Sequence, residues 1–82
     1  MEHRIGELIN RVPENTLEVK KALAAEVGVD IDTVNRWYTN PEVKIDAKKA
    51  LKILAYFKKY WPNMTIEDLF VQDSIAADQG LV

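Results

Sequence analysis

The stretch KKALAAEVGVDIDTVNRWYT, Lys20 to Thr39, decides the fold. Two helices that meet across a tight turn need a small residue where their backbones approach, a turn residue that tolerates positive φ, and apolar residues that fix the pair to a core. Each requirement is met at a fixed offset. Leu23 and Val27 share one face of the first helix, and Ala24 is small at the crossing. Gly28 stands at the turn, Val29 plugs it, and Val34 and Trp37 anchor the second helix. Asp30, just before that second helix, is a natural N-cap.

Outward from this stretch the apolar spacing stays helical. Ile5, Leu8, Ile9 and Val12 follow i, i+3, i+4, i+7 and predict a first helix that Pro13 limits. Asn15, with Glu18 three residues later, caps the helix carrying Val19, Leu23 and Val27. Asn40-Pro41 marks a turn, and Asp46 caps a fourth helix. There Ala47, Ala50, Leu51, Leu54 and Trp61 keep helical spacing, while Ile53 and Phe57 widen the stripe. Pro62-Asn63 ends it. Thr65-Ile66-Glu67-Asp68 resembles a capping box opening a last helix that buries Ile66, Leu69 and Phe70. The expectation is an all-α, compact five-helix domain over residues 1–71, followed by an acidic flexible tail over 72–82.

The 82 residues suffice for one domain and leave no room for a separate catalytic body. Hydrophobic residues at 48% and charged residues at 29% fit a folded globular chain. With no Cys, the core must rest on apolar burial. No apolar stretch suggests a signal peptide or membrane span, so the expected location is cytoplasmic, with no membrane partner. The net charge of −2 conceals an uneven distribution. Between residues 36 and 61, Arg36, Lys44, Lys48, Lys49, Lys52, Lys58 and Lys59 face only Glu42 and Asp46, seven cations against two acids for a net of +5. Residues 65 to 82 carry Glu67, Asp68, Asp73 and Asp78 with no cation. The basic run is either a solvated helix face or a surface for a polyanion.

Several chemistries lack their residues. No Gly-rich phosphate loop is present, and no carboxylate pair is placed for acid/base work. His3, the single histidine, stands near the terminus, where fraying and no catalytic role are expected. Asp30 and Asp32 begin a calcium-loop pattern, but Asn35 replaces its Gly and Pro41 its final Glu. Neither an enzyme nor a cofactor, metal or small-molecule substrate is expected.

With the runs Leu23-Ala24-Ala25-Glu26-Val27-Gly28-Val29, Thr33-Val34-Asn35-Arg36-Trp37 and Thr65-Ile66-Glu67-Asp68-Leu69-Phe70, the chain resembles the phage repressor/Cro (XRE-type) helix-turn-helix family from about Ile5 to Phe70. The resemblance implies a transcriptional regulator binding double-stranded DNA, with the helix around residues 32–38 in the major groove and Ile31, Asp32, Asn35 and Arg36 reaching base edges. Phosphate contacts are expected from Lys20, Tyr38, Thr39, Asn40, Lys44 and Lys48, and a homodimer on a palindromic site, with Phe70-Val71 at its interface.

Three positions depart from the family's usual Gln, Glu and Gly: Lys20, Tyr38 and Asn40. Lys20 can meet a phosphate, and Asn40 tolerates the left-handed conformation of a Gly. Tyr38 either leaves Arg11 without its usual acid or itself contacts DNA. Asp32 either accepts from cytosine N4 or, with Asp30, complements the helix dipole. The alternative function is a protein-interaction module, such as an antitoxin or regulatory partner, on the same fold.

Overall fold

The computed structural model describes residues 2–70, so the expected tail and Val71 lie outside the described residues. Four α-helices, α1 (Ile5–Arg11), α2 (Thr16–Val27), α3 (Ile31–Thr39) and α4 (Ala47–Phe57), are followed by a 3-10 turn, Ile66–Leu69. The all-α expectation holds. The expected short fifth helix is not an α-helix: its capping box forms, with the Thr65 amide donating to Asp68 Oδ2 at 2.8 Å, but the four residues make only 3-10 geometry.

The helix starts follow the side chains that take orphan amides. Asn15 Oδ1 accepts from the amides of Leu17 and Glu18, at 2.9 and 3.2 Å. Asp30 Oδ1 accepts from the Thr33 amide at 3.0 Å and the Thr33 hydroxyl at 2.8 Å. Asp46 Oδ1 accepts from the Lys49 amide at 2.8 Å. At α1 an imidazole does this work, since His3 Nδ1 takes the Ile5 amide at 3.2 Å.

Two helix ends are set by proline. Val12, before Pro13, is extended at φ −67°, ψ 129°, as the clash with a following proline ring demands. Asn40, before Pro41, is likewise extended at φ −132°, ψ 98°. This corrects the left-handed conformation expected there. The Asn40 side chain instead accepts from the Glu42 amide at 3.0 Å.

The core gathers Ile5 and Ile9 of α1, Val19 and Leu23 of α2, Val34 of α3, Ile53 and Phe57 of α4, and Leu69, each with essentially no exposure. On α4 the expected stripe divides. Ala50, Ile53, Tyr56 and Phe57 face the bundle, whereas Leu51 is 60% exposed and Ala47 is exposed as well. Apolar residues cover so much of α4 that two overlapping helical sets exist, and the one holding the aromatic rings turns inward. Trp61 lies beyond the helix, half-buried against the core, as do Ile66 and Phe70, which were expected to be buried.

The N-terminus is not frayed. The His3 amide donates to the Pro41 carbonyl at 2.9 Å and the Arg4 amide to the Leu69 carbonyl at 2.7 Å, so His3 pairs antiparallel with Phe70. His3 is only 2% exposed. Among the described residues, no helix is long and apolar enough to cross a membrane.

Candidate nucleic-acid interface

The interface is built on the α2–α3 turn. Gly28 ends α2 at φ 87°, ψ 33°, and both its amide and that of Val29 donate to the Ala24 carbonyl, at 2.8 and 3.0 Å. A Cβ at Gly28 would meet nothing within 4 Å, so glycine is required here by backbone conformation and not by space. Two residues later the Asp30 cap starts α3. Hydrogen bonds from the Thr33 hydroxyl and amide hold the Asp30 carboxyl below its ordinary range. Asp30 is therefore an anion already committed to its helix.

With Val34 and Trp37 buried, the 100° step of the helix turns Asp32, Asn35, Arg36 and Thr39 to the opposite side of α3. Asp32 and Arg36 are exposed, while Ile31 and Asn35 are half-buried at the margins. Three of the four side chains expected at base edges, Asp32, Asn35 and Arg36, thus share the outer side of one short helix, and Ile31 stands at its edge. The Thr39 hydroxyl donates back to the Asn35 carbonyl at 3.0 Å, leaving its oxygen lone pairs outward.

The positions expected at phosphates differ in what they already hold. Lys44 and Lys48 are exposed, with no ion pair among the described residues. Lys20 and Tyr38 meet each other: Lys20 Nζ lies 3.9 Å from the Tyr38 ring centroid, and the Tyr38 hydroxyl donates to Asn10 Oδ1 at 2.8 Å. This cation–π stack and hydrogen bond join α1, α2 and α3. Asn40 is exposed at the end of α3, its carbonyl 3.1 Å from His3 Nε2. Arg11 keeps an acid despite Tyr38, because Glu7 Oε2 lies 2.8 Å from its guanidinium.

Comparison with family models, with curated proteins and with solved structures returns no match. The site therefore stands on its own geometry.

Three residues that position α3 escaped the sequence pattern. Gly6 lies inside α1, where a Cβ would fall 2.7 Å from the Tyr38 carbonyl oxygen, so its absence lets α1 and α3 approach. A glycine within the first turn of a helix was itself the signal, since it weakens the helix without an evident reason. Asn10 had no signal beyond polarity. His3 was concealed by its place in the chain. Its Nδ1 accepts the Ile5 amide, so Nε2 carries the proton and donates to the Asn40 carbonyl at 3.1 Å. One ring thereby joins the start of α1 to the end of α3. Among the described residues, no cluster of His, Asp or Glu is arranged to hold a metal.

Proposed function

We propose that this chain is a sequence-specific double-stranded DNA-binding module of the helix-turn-helix kind, a transcriptional regulator that reads the major groove with α3. The observation that carries the proposal is the left-handed Gly28 turn joining α2 to a capped, nine-residue α3 whose outward side holds Asp32, Asn35 and Arg36. A helix of that length fits the major groove, and its polar side carries two residue types suited to base edges: Arg for guanine and Asn for adenine. Lys44 and Lys48, both exposed, supply cations for phosphates. Binding as a two-fold dimer follows from the small footprint of one copy.

Selection of bound duplexes from a randomised pool at low salt tests this. The expected result is an enriched short motif with its inverted repeat, and affinity that falls steeply with salt. Absence of binding across the pool would favour the interaction module, for which Asp30 and Asp32, both exposed at the leading end of α3, are the supporting observation.

A further inference from the structure

Beside α4 lies an open apolar groove of about 350 Å³, lined by Ile45, Ala47, Ala50, Leu51, Ile66 and Phe70. Leu51, the most exposed large apolar residue among those described, lies in its wall. We propose that this groove is the docking site of the chain's own residues 71–82, and that docking screens the α4 cations from DNA.

Continuity is the first ground. Phe70, the last described residue, lines the groove, and residues 71–82 are joined directly to it. A short tether holds the segment at an effective concentration in the millimolar range. Twelve residues reach about 40 Å extended, against about 16 Å for the eleven residues of α4. The segment is long enough to cross the helix face.

Composition is the second ground. Val71, Ile75, Leu81 and Val82 supply apolar side chains, and Asp73 and Asp78 are its only charges. The α4 side of the groove is basic. Lys48 and Lys52, next in sequence to the lining residues Ala47 and Leu51, are exposed on α4 with no ion pair among the described residues. Lys49 is already engaged by Asp46, 3.1 Å away. The acids of the segment therefore belong over the α4 rim, its apolar residues in the groove. A second copy is the weaker occupant, because six lining residues provide far less than the roughly 1,200–2,000 Å² that stable pairs bury.

The regulatory consequence rests on the DNA-binding reading; the docking does not. With Asp73 and Asp78 on the α4 rim, Lys48 meets phosphate only when the segment leaves. Apparent DNA affinity is then reduced by the undocked fraction.

The absence of Cys allows a single spin label at Gln79→Cys in the full chain. Docking predicts paramagnetic broadening of the Ala47, Leu51 and Ile66 amides, and its marked loss when the exposed Leu51 is changed to Asp. Equal broadening with and without Leu51→Asp would overturn the proposal. So would broadening seen only between labelled and unlabelled copies in a mixed sample, which would assign the groove to a second copy. The DNA arm uses Ile75→Ser, which leaves every charge in place and should tighten binding to random duplex severalfold. Unchanged affinity there would overturn the screening. If the unaltered chain bound no DNA while the Leu51-dependent broadening persisted, the DNA reading would fall and the docking would stand.

Discussion

An alanine at Gly6, in the first turn of α1, would gain less than the roughly 1 kcal/mol of a helix interior, while its Cβ would fall 2.7 Å from the Tyr38 carbonyl oxygen. Backbone cannot swing aside as a flexible side chain can, so Gly6→Ala should be net destabilising, by about 1–3 kcal/mol of overpacking less that gain. Thermal unfolding checks the sign: a raised melting temperature would mean that α1 and α3 are not in contact there. His3 makes its prediction through pH. Burial lowers its pKa from the ordinary value, against smaller opposing contributions from the Asn40 carbonyl and Glu2. Glu2, Arg4 and Glu7 are the charged groups lining the same recess, together with Asn10 and Tyr38. Protonation would also remove the lone pair that accepts the Ile5 amide. Because the folded pKa lies below the unfolded one, the unfolded chain binds more protons between them, so stability is lost as pH falls below about 6.5 and levels off beneath the folded pKa. The single histidine makes this readable: proton titration of its ring by NMR should give a low pKa, and His3→Gln should flatten that segment of the stability profile. In the proposed DNA-binding reading Arg36, exposed on α3, serves recognition and not folding. Arg36→Ala should leave the melting temperature in place and cost about 1–3 kcal/mol on the selected duplex, with relaxed choice at one or two base pairs. Arg36→Lys should restore general affinity more than specificity, since it keeps the charge but loses the planar fork. Equal losses on selected and random DNA would demote Arg36 to a phosphate contact.

Helices, turns and caps obey local rules, and these features were legible in the sequence. Gly28, Asn15, Asp30 and Asp46 occupy the positions expected of them because a cap or a left-handed turn depends on residues only a few steps away. Asn40 was misread although its rule is equally local: the proline ring that follows outweighs asparagine's tolerance of positive φ. The face of α4 was harder. Its two apolar sets satisfy the same period, and only packing against α2 and the 3-10 turn selects Ile53 and Phe57 over Leu51. The Lys20–Tyr38–Asn10 contact was invisible for a related reason, since it joins three helices whose relative placement no periodicity encodes. The same element-level geometry separates the lysines of α4. Lys48 and Lys52 are one turn apart and exposed, whereas Lys49 is paired with Asp46 at 3.1 Å. If the phosphate backbone lies along that face, Lys48→Ala and Lys52→Ala should each lower the salt slope of DNA binding by about 0.9, with similar losses on every sequence, while Lys49→Ala changes it little. Wild-type slopes in all three variants would remove α4 from the phosphate contacts.

If α3 reads DNA as proposed, the dimensions of the whole molecule constrain what one copy can read. The nine residues of α3 measure about 14 Å, which at roughly 3.4 Å per base pair covers about four pairs. Four pairs recur too often to define one site in a genome, so specificity needs a second copy on the same duplex. Two helices related by a two-fold axis enter one face of the DNA when their half-sites lie about one turn, roughly 34 Å, apart. Of the 38 × 24 × 21 Å extents of the molecule, the two shorter fit within that spacing, so two copies stand side by side without overlap when a short axis lies along the duplex. A duplex carrying the selected motif twice as an inverted repeat, with centres about ten base pairs apart, should therefore bind two copies more tightly than two isolated half-sites would. Inserting about five pairs turns one half-site to the far side of the helix and should abolish that gain, and inserting about ten should recover part of it. Sedimentation of the complexes gives the stoichiometry, and titration of each duplex gives the affinity. Affinity that ignored the spacing, with one copy bound per motif throughout, would leave a monomeric reader whose specificity comes from elsewhere.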